Sequence, residues 1–147
     1  TSSPLETEGS KRWNQSTSLA AEATMNHEEL KPMPEKMPDI RGYHAHVYFD
    51  AETMEKARAV CERARDLFPV TMGRMHEKPV GPHPVPSCQL AFAPEAFADV
   101  MGWLALNRDG LVVFTHPETG DDLADLRDPA IWMGAILPLK LAMFEKE

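Results

Sequence analysis

The stretch Gly42-Tyr43-His44-Ala45-His46-Val47-Tyr48-Phe49-Asp50 reads as a β-strand with two different faces. Successive strand side chains point to opposite sides, so Tyr43, Ala45, Val47 and Phe49 share one face and His44, His46 and Tyr48 the other. The first face suits a core. The second carries two imidazoles at a spacing from which both could reach one metal ion. The pair alone is weak evidence, because a histidine on a solvated strand face is usually only a polar surface residue.

Outward from this strand the pattern stays regular. Asp50 stands where it can cap a following helix. In Ala51 to Phe68, the residues Met54, Ala57, Val60, Cys61, Ala64, Leu67 and Phe68 paint one helical stripe. Val70 to about Glu77 reads as a second strand, and a Pro/Gly-rich connection from Lys78 to Pro86 leads to a third, Ser87 to Phe92. There Cys88, Leu90 and Phe92 point inward and Ser87 and Gln89 join the polar face. Pro94 opens a second helix through Phe97, Val100, Met101, Leu104 and Ala105, which stops at Asn107 to Gly110. Leu111 to His116 is a fourth strand, Pro117 to Arg127 a polar loop, and Asp128-Pro129 begins a short C-terminal helix through Trp132 and Met133. The order β-α-β-β-α-β predicts an α+β, ferredoxin-like sandwich: an antiparallel sheet with helices on one face and the other face open.

The 147 residues, 43% of them hydrophobic, suit one domain and one core. That domain is expected over residues 40–147, behind a flexible tail of residues 1–39 rich in Ser, Thr, Glu, Lys and Pro, where a short helix fits Ser18 to Leu30. The chain opens on Thr1, with Met25 a candidate internal start. A net charge of -8 and a pI near 5.2 argue against a nucleic-acid partner. No run approaches the roughly 18 apolar residues of a membrane span, and no basic-then-apolar secretory signal opens the chain, so a cytoplasmic protein is expected. Cys61 and Cys88 read as reduced packing residues.

The sandwich predicts the strand order 4-1-3-2, with strand 1 parallel to strand 3 and antiparallel to strand 4. His44 and His46 then neighbour the start of strand 3 (Ser87, Gln89) and His116 at the end of strand 4. His83, just before strand 3, and His76, closing strand 2, fall at the same end, leaving only His27 elsewhere. The face of His116 stays open, because inward Val112 and Phe114 turn it to the core and inward Leu111 and Val113 turn it to the other histidines. Such convergence suits a catalytic metal, since structural zinc sites usually close with four ligands and favour cysteine. A carboxylate of Glu77, Glu118, Asp121 or Asp122 could complete a two-histidine, one-carboxylate iron set. Asp121, Asp122 and Asp125 fit equally as solvated loop and helix-cap residues. The proline-braced Gly81-Pro82-His83-Pro84 loop holds an imidazole stiffly. Trp132 and Met133 fit an apolar wall over a flat aromatic substrate, and Arg41, Arg74 and Arg127 could each clamp a carboxylate.

Three strings, Tyr43-His44-Ala45-His46-Val47-Tyr48-Phe49-Asp50, Gly81-Pro82-His83-Pro84 through Ser87-Cys88-Gln89, and His116-Pro117 through Thr119-Gly120-Asp121-Asp122-Leu123-Ala124-Asp125, resemble the DOPA 4,5-dioxygenase family. The resemblance spans about Ile40 to Leu137. It implies extradiol cleavage of a catechol such as DOPA or caffeate by non-haem Fe(II) and O2, giving a semialdehyde. It implies that three of His44, His46, His83 and His116 hold the metal, with zinc or another divalent ion a substitute in the purified protein. His83 or His76 would move the catechol proton, while Tyr48 and Gln89 hydrogen-bond substrate or oxygen, beside Arg74 and Trp132. Leu126 and Pro129 stand where the family often has further histidines. Two other readings use the same residues: a metal-free module that dimerises through its sheet, and a zinc hydrolase. A homodimer is expected.

Overall fold

The computed structural model describes residues 39–145. The tail, the helix expected at Ser18 to Leu30, Met25 and His27 lie outside the described residues. Five strands form a single sheet: β1 (Gly42–Tyr48), β2 (Val70–Met72), β3 (Ser87–Phe92), β4 (Val113–Glu118) and β5 (Ile131–Met133). Between them run α1 (Met54–Leu67), α2 (Phe97–Asn107) and the short α3 (Asp122–Arg127), and a last turn, α4, covers Ala142–Glu145. The order across the sheet is β2-β3-β1-β4-β5, the expected ferredoxin-like 4-1-3-2 with one strand added at the β4 edge.

Three expectations about this sheet are corrected. β1 runs antiparallel to β3, not parallel, with Tyr43 opposite Phe92 and Tyr48 opposite Ser87. The cause is the crossover: β1 and β2 run the same way around α1, and β3 comes back between them. His44 therefore lies opposite Ala91 and His46 opposite Gln89, while on the other edge His44 faces His116 and His46 faces Phe114. Second, Ile131–Met133 is a strand paired with β4, not a helix. The helix lies earlier, inside the stretch read as a polar loop, where the Asp121 carboxylate accepts the Ala124 N–H at 3.2 Å and caps α3. Pro129 lacks the N–H needed to carry that helix further. Third, β2 is short, and His76 rejoins β3 only through a bridge with Ser87. Asp50 caps less directly than expected: its carboxylate accepts the Glu52 and Thr53 N–H groups, each at 2.9 Å, fixing the turn before α1.

α1 and α2 cover one face of the sheet. Ala57, Val60, Cys61 and Ala64 of α1 and Val100, Met101 and Leu104 of α2 pack on Ala45, Val47, Cys88, Leu90, Phe92 and Val113. Leu111 and Val113 belong to this core, so alternation turns Phe114 and His116 toward the histidine face. That face is open only in part. Tyr48, Phe114 and Leu126 are buried there beneath Val85, Trp132, Leu137, Leu139 and Leu141, and the returning chain is tied down by Lys140 N–H donating to the Pro82 carbonyl at 2.8 Å. The surface read as a dimerisation face carries the chain's own C-terminal segment. Among the described residues no helix is long and apolar enough to cross a membrane.

Cover over this part of the second face makes Phe114 a core residue. Phe114→Ala is expected to cost about 3–5 kcal/mol in urea unfolding, the range for a buried aromatic, against near neutrality had the face been solvated.

Candidate metal centre

Sheet register assembles the site. Two cross-strand rows run along the histidine face, Thr71-Ala91-His44-His116 and Gln89-His46-Phe114-Trp132. One ligand atom from each of His44, His46 and His116 lies within 4.8 Å of the others, the spacing of a set that could hold a metal ion. His46 and His116 are 5% and 4% exposed, whereas His44 is half-buried at the rim.

The donor chemistry fits an ion. The His46 and His116 Nε2 atoms stand 3.1 Å apart. Two imidazole nitrogens, each about 2.1 Å from one ion and at right angles, would stand about 3 Å apart. The His116 Nδ1–H donates to the Pro117 carbonyl at 3.0 Å, which fixes the tautomer and leaves Nε2 bare. Glu118 reaches two of the rings, 3.5 Å from His116 Nδ1 and 3.5 Å from His44 Nε2. A carboxylate behind a ligating histidine orients the ring and raises its basicity.

His83 stands beside this trio without joining it. Its ring lies 4.1 Å from that of His46, centre to centre, and its Nδ1 is 2.8 Å from the Tyr48 hydroxyl. Burial holds the His46 imidazole well below its ordinary pKa, helped by repulsion from His83, His116 and His44. Burial, with His116 and His76, lowers His83 to about 4. His44 is lowered too, by burial, against the pull of Glu118. Burial raises the Tyr48 phenol, which stays protonated. The His44, His46 and His83 rings are thus neutral near pH 7, the state that metals bind.

A cavity of about 190 Å³ opens over these groups, lined by His44, His46, Pro82, His83, Gln89, His116, Glu118, Asp122 and Leu126. Of the remaining expected site residues, His76 lies near His83 but outside the cavity lining, at its bridge with Ser87. Arg74 is exposed and Glu77 is exposed, both away from this lining. Trp132 stacks on Phe114 at 4.5 Å, beside His46 on the same face but outside the cavity lining. Asp121 is the α3 cap. Asp125 is no solvated loop residue: it is 2% exposed and accepts the Thr119 N–H at 2.7 Å and the Thr119 hydroxyl. Leu126 gives the cavity an apolar wall that sequence reading left without a role.

The chain matches the model of the Dopa 4,5-dioxygenase family over residues 43–143. An uncharacterized 21.2 kDa protein of Botryotinia fuckeliana is 38% identical over 120 residues, covering 73% of this chain and 66% of that one. A DOPA 4,5-dioxygenase of Amanita muscaria is 33% identical over 113 residues, covering 71% of this chain and 50% of that one. This chain therefore spans between half and two thirds of the length of these curated relatives. A crystal structure from Nostoc punctiforme PCC 73102, assigned as a dioxygenase, superposes with a TM-score of 0.73 at 44% identity, covering 77% of this chain and 97% of that one.

Buried neutral histidines make the metal-free protein acid-sensitive. Between pH 6.5 and about 4 the unfolded His83 binds a proton that the folded one refuses, so stability is full above pH 6.5 and is lost as pH falls through this window. His83→Gln should flatten that decline, removing about 1–3 kcal/mol of pH dependence in urea midpoints measured from pH 7.5 to 4.

Proposed function

This chain belongs to the Dopa 4,5-dioxygenase family, and from that premise we propose that it is an Fe(II)-dependent extradiol dioxygenase that opens a catechol ring beside the diol. The observation that carries the reading is the meeting of His44, His46 and His116 at one point, with a fourth imidazole alongside that does not belong to the set. His44, His46 and His116 would hold the ion through their ring nitrogens. Bound iron(II) supplies the redox centre that lets a catechol react with dioxygen, a combination that spin rules otherwise keep slow.

The chain's own residues supply the proton chemistry and the shape. With His83 Nδ1–H donating to the Tyr48 oxygen, Nε2 is bare and takes the proton of a catechol hydroxyl. The depressed pKa of His83 keeps the ring in that neutral form and makes its protonated form a ready donor when the proton is returned. His83 fits this role better than His76, because only His83 lines the cavity. The Gln89 amide, across from His46, hydrogen-bonds the bound ring's substituents. Leu126 and the Phe114–Trp132 stack exclude water behind the imidazoles.

Anaerobic reconstitution with Fe(II), followed by oxygen uptake with DOPA, caffeate and protocatechuate, tests this reading. Oxygen consumption with a new yellow chromophore is expected. Tight zinc without oxygen uptake would overturn it in favour of hydrolytic chemistry. His46→Ala should abolish iron binding, whereas His83→Gln should retain iron and lose about 10²–10⁴-fold in turnover. Glu118→Gln is expected to weaken metal affinity about 10–100-fold, read by competition with a chelator.

A further inference from the structure

A second hollow adjoins the metal centre. It has a volume of about 410 Å³ and shares His44 and Glu118 with the first, continuing along the Thr71-Ala91-His44 row to Arg41, Tyr43 and Pro69. Ala91 sits between Thr71 and His44 in that row, and its small side chain leaves room above the sheet.

One cation stands in this hollow. Arg41 is anchored at its backbone, its N–H donating to the Glu118 carbonyl at 2.9 Å. Its guanidinium lies over Gly120, where a Cβ would meet Nη2, Cζ and Nη1 at 3.2, 3.4 and 3.4 Å. Gly120 has φ +102, a backbone state that side chains rarely adopt, so the turn after β4 both requires glycine and leaves a seat for the guanidinium. Among the described residues no carboxylate pairs with Arg41, although the chain carries 23 acidic against 15 basic residues. The nearby Glu118 is turned to His44 and His116 instead.

We propose that Arg41 is a specificity-determining residue, binding a carboxylate at the far end of the substrate's side chain while the aromatic ring sits among the imidazoles. Arg41 is then the residue that reads the charge of a side chain long enough to pass His44 and Glu118. The planar guanidinium offers a paired donor fork that matches a carboxylate and discriminates against neutral and cationic side chains. This rests on the catechol reading of the preceding subsection, but anion binding at Arg41 is separable from it.

The test therefore begins with the metal-free full chain and a probe that cannot be ring-cleaved by catechol chemistry, 3-phenylpropanoate, with neutral 3-phenylpropanol as its partner. NMR titration should show the acid binding about tenfold more tightly than the alcohol, less so at high salt, with the preference lost in Arg41→Gln and partly kept in Arg41→Lys. Arg41 is exposed, and circular dichroism checks that both variants fold. In the iron-loaded protein, Arg41→Gln should raise KM for 3,4-dihydroxyphenylpropanoate about tenfold more than for 4-methylcatechol. Equal binding of acid and alcohol, or a preference unchanged in Arg41→Gln, would overturn the proposal. If the acid binds through Arg41 but no catechol is cleaved, the anion subsite stands and the dioxygenase reading falls.

Discussion

The burial of β1 on both faces governs this molecule. It is hydrogen-bonded to β3 on one edge and β4 on the other, helices cover Ala45 and Val47, and the C-terminal segment closes over Tyr48. A strand so placed cannot slip by one residue without driving imidazoles into the helix core and aliphatic groups into the cavity. The same constraint that fixes the fold thus fixes the direction of His44 and His46.

Burial also sets the chemistry. Removing imidazoles from water disfavours their charged form, and placing several together adds repulsion, so His44, His46 and His83 stay neutral rings that offer lone pairs. The polar groups that remain have defined tasks. Pro117 and Glu118 orient His116, Tyr48 holds His83, and Asp125 ties Thr119 to the start of α3. Each of these partners comes from β1, β4 or the short α3 that follows β4, which couples the integrity of the site to one small part of the fold.

Much of this was legible beforehand, for identifiable reasons. Alternation in Gly42–Tyr48 and the helical stripe from Met54 to Leu67 report local periodicity, and local periodicity survives folding when one face meets a core. The short elements were harder. Ile131–Met133 has three residues, too few for alternation to separate a strand from a helix, and its identity comes from pairing with Val113, Phe114 and Thr115. Asp125 looked like a solvated loop charge because composition does not reveal that Thr119 folds back onto it.

The sequence by itself determined the order of the main elements, the two faces of β1, and the gathering of His44, His46 and His116 toward one end of a sheet, because side-chain alternation and turn residues act over a few neighbours. Only the tertiary structure decided the direction of β3, the facing of His116, the cover that Leu137, Leu139 and Leu141 place over part of the second face, and the position of His83 beside the cluster of His44, His46 and His116. Those outcomes depend on contacts between residues tens of positions apart, such as His46 with His116 and Tyr48 with His83. No local pattern encodes such pairs; register and packing create them.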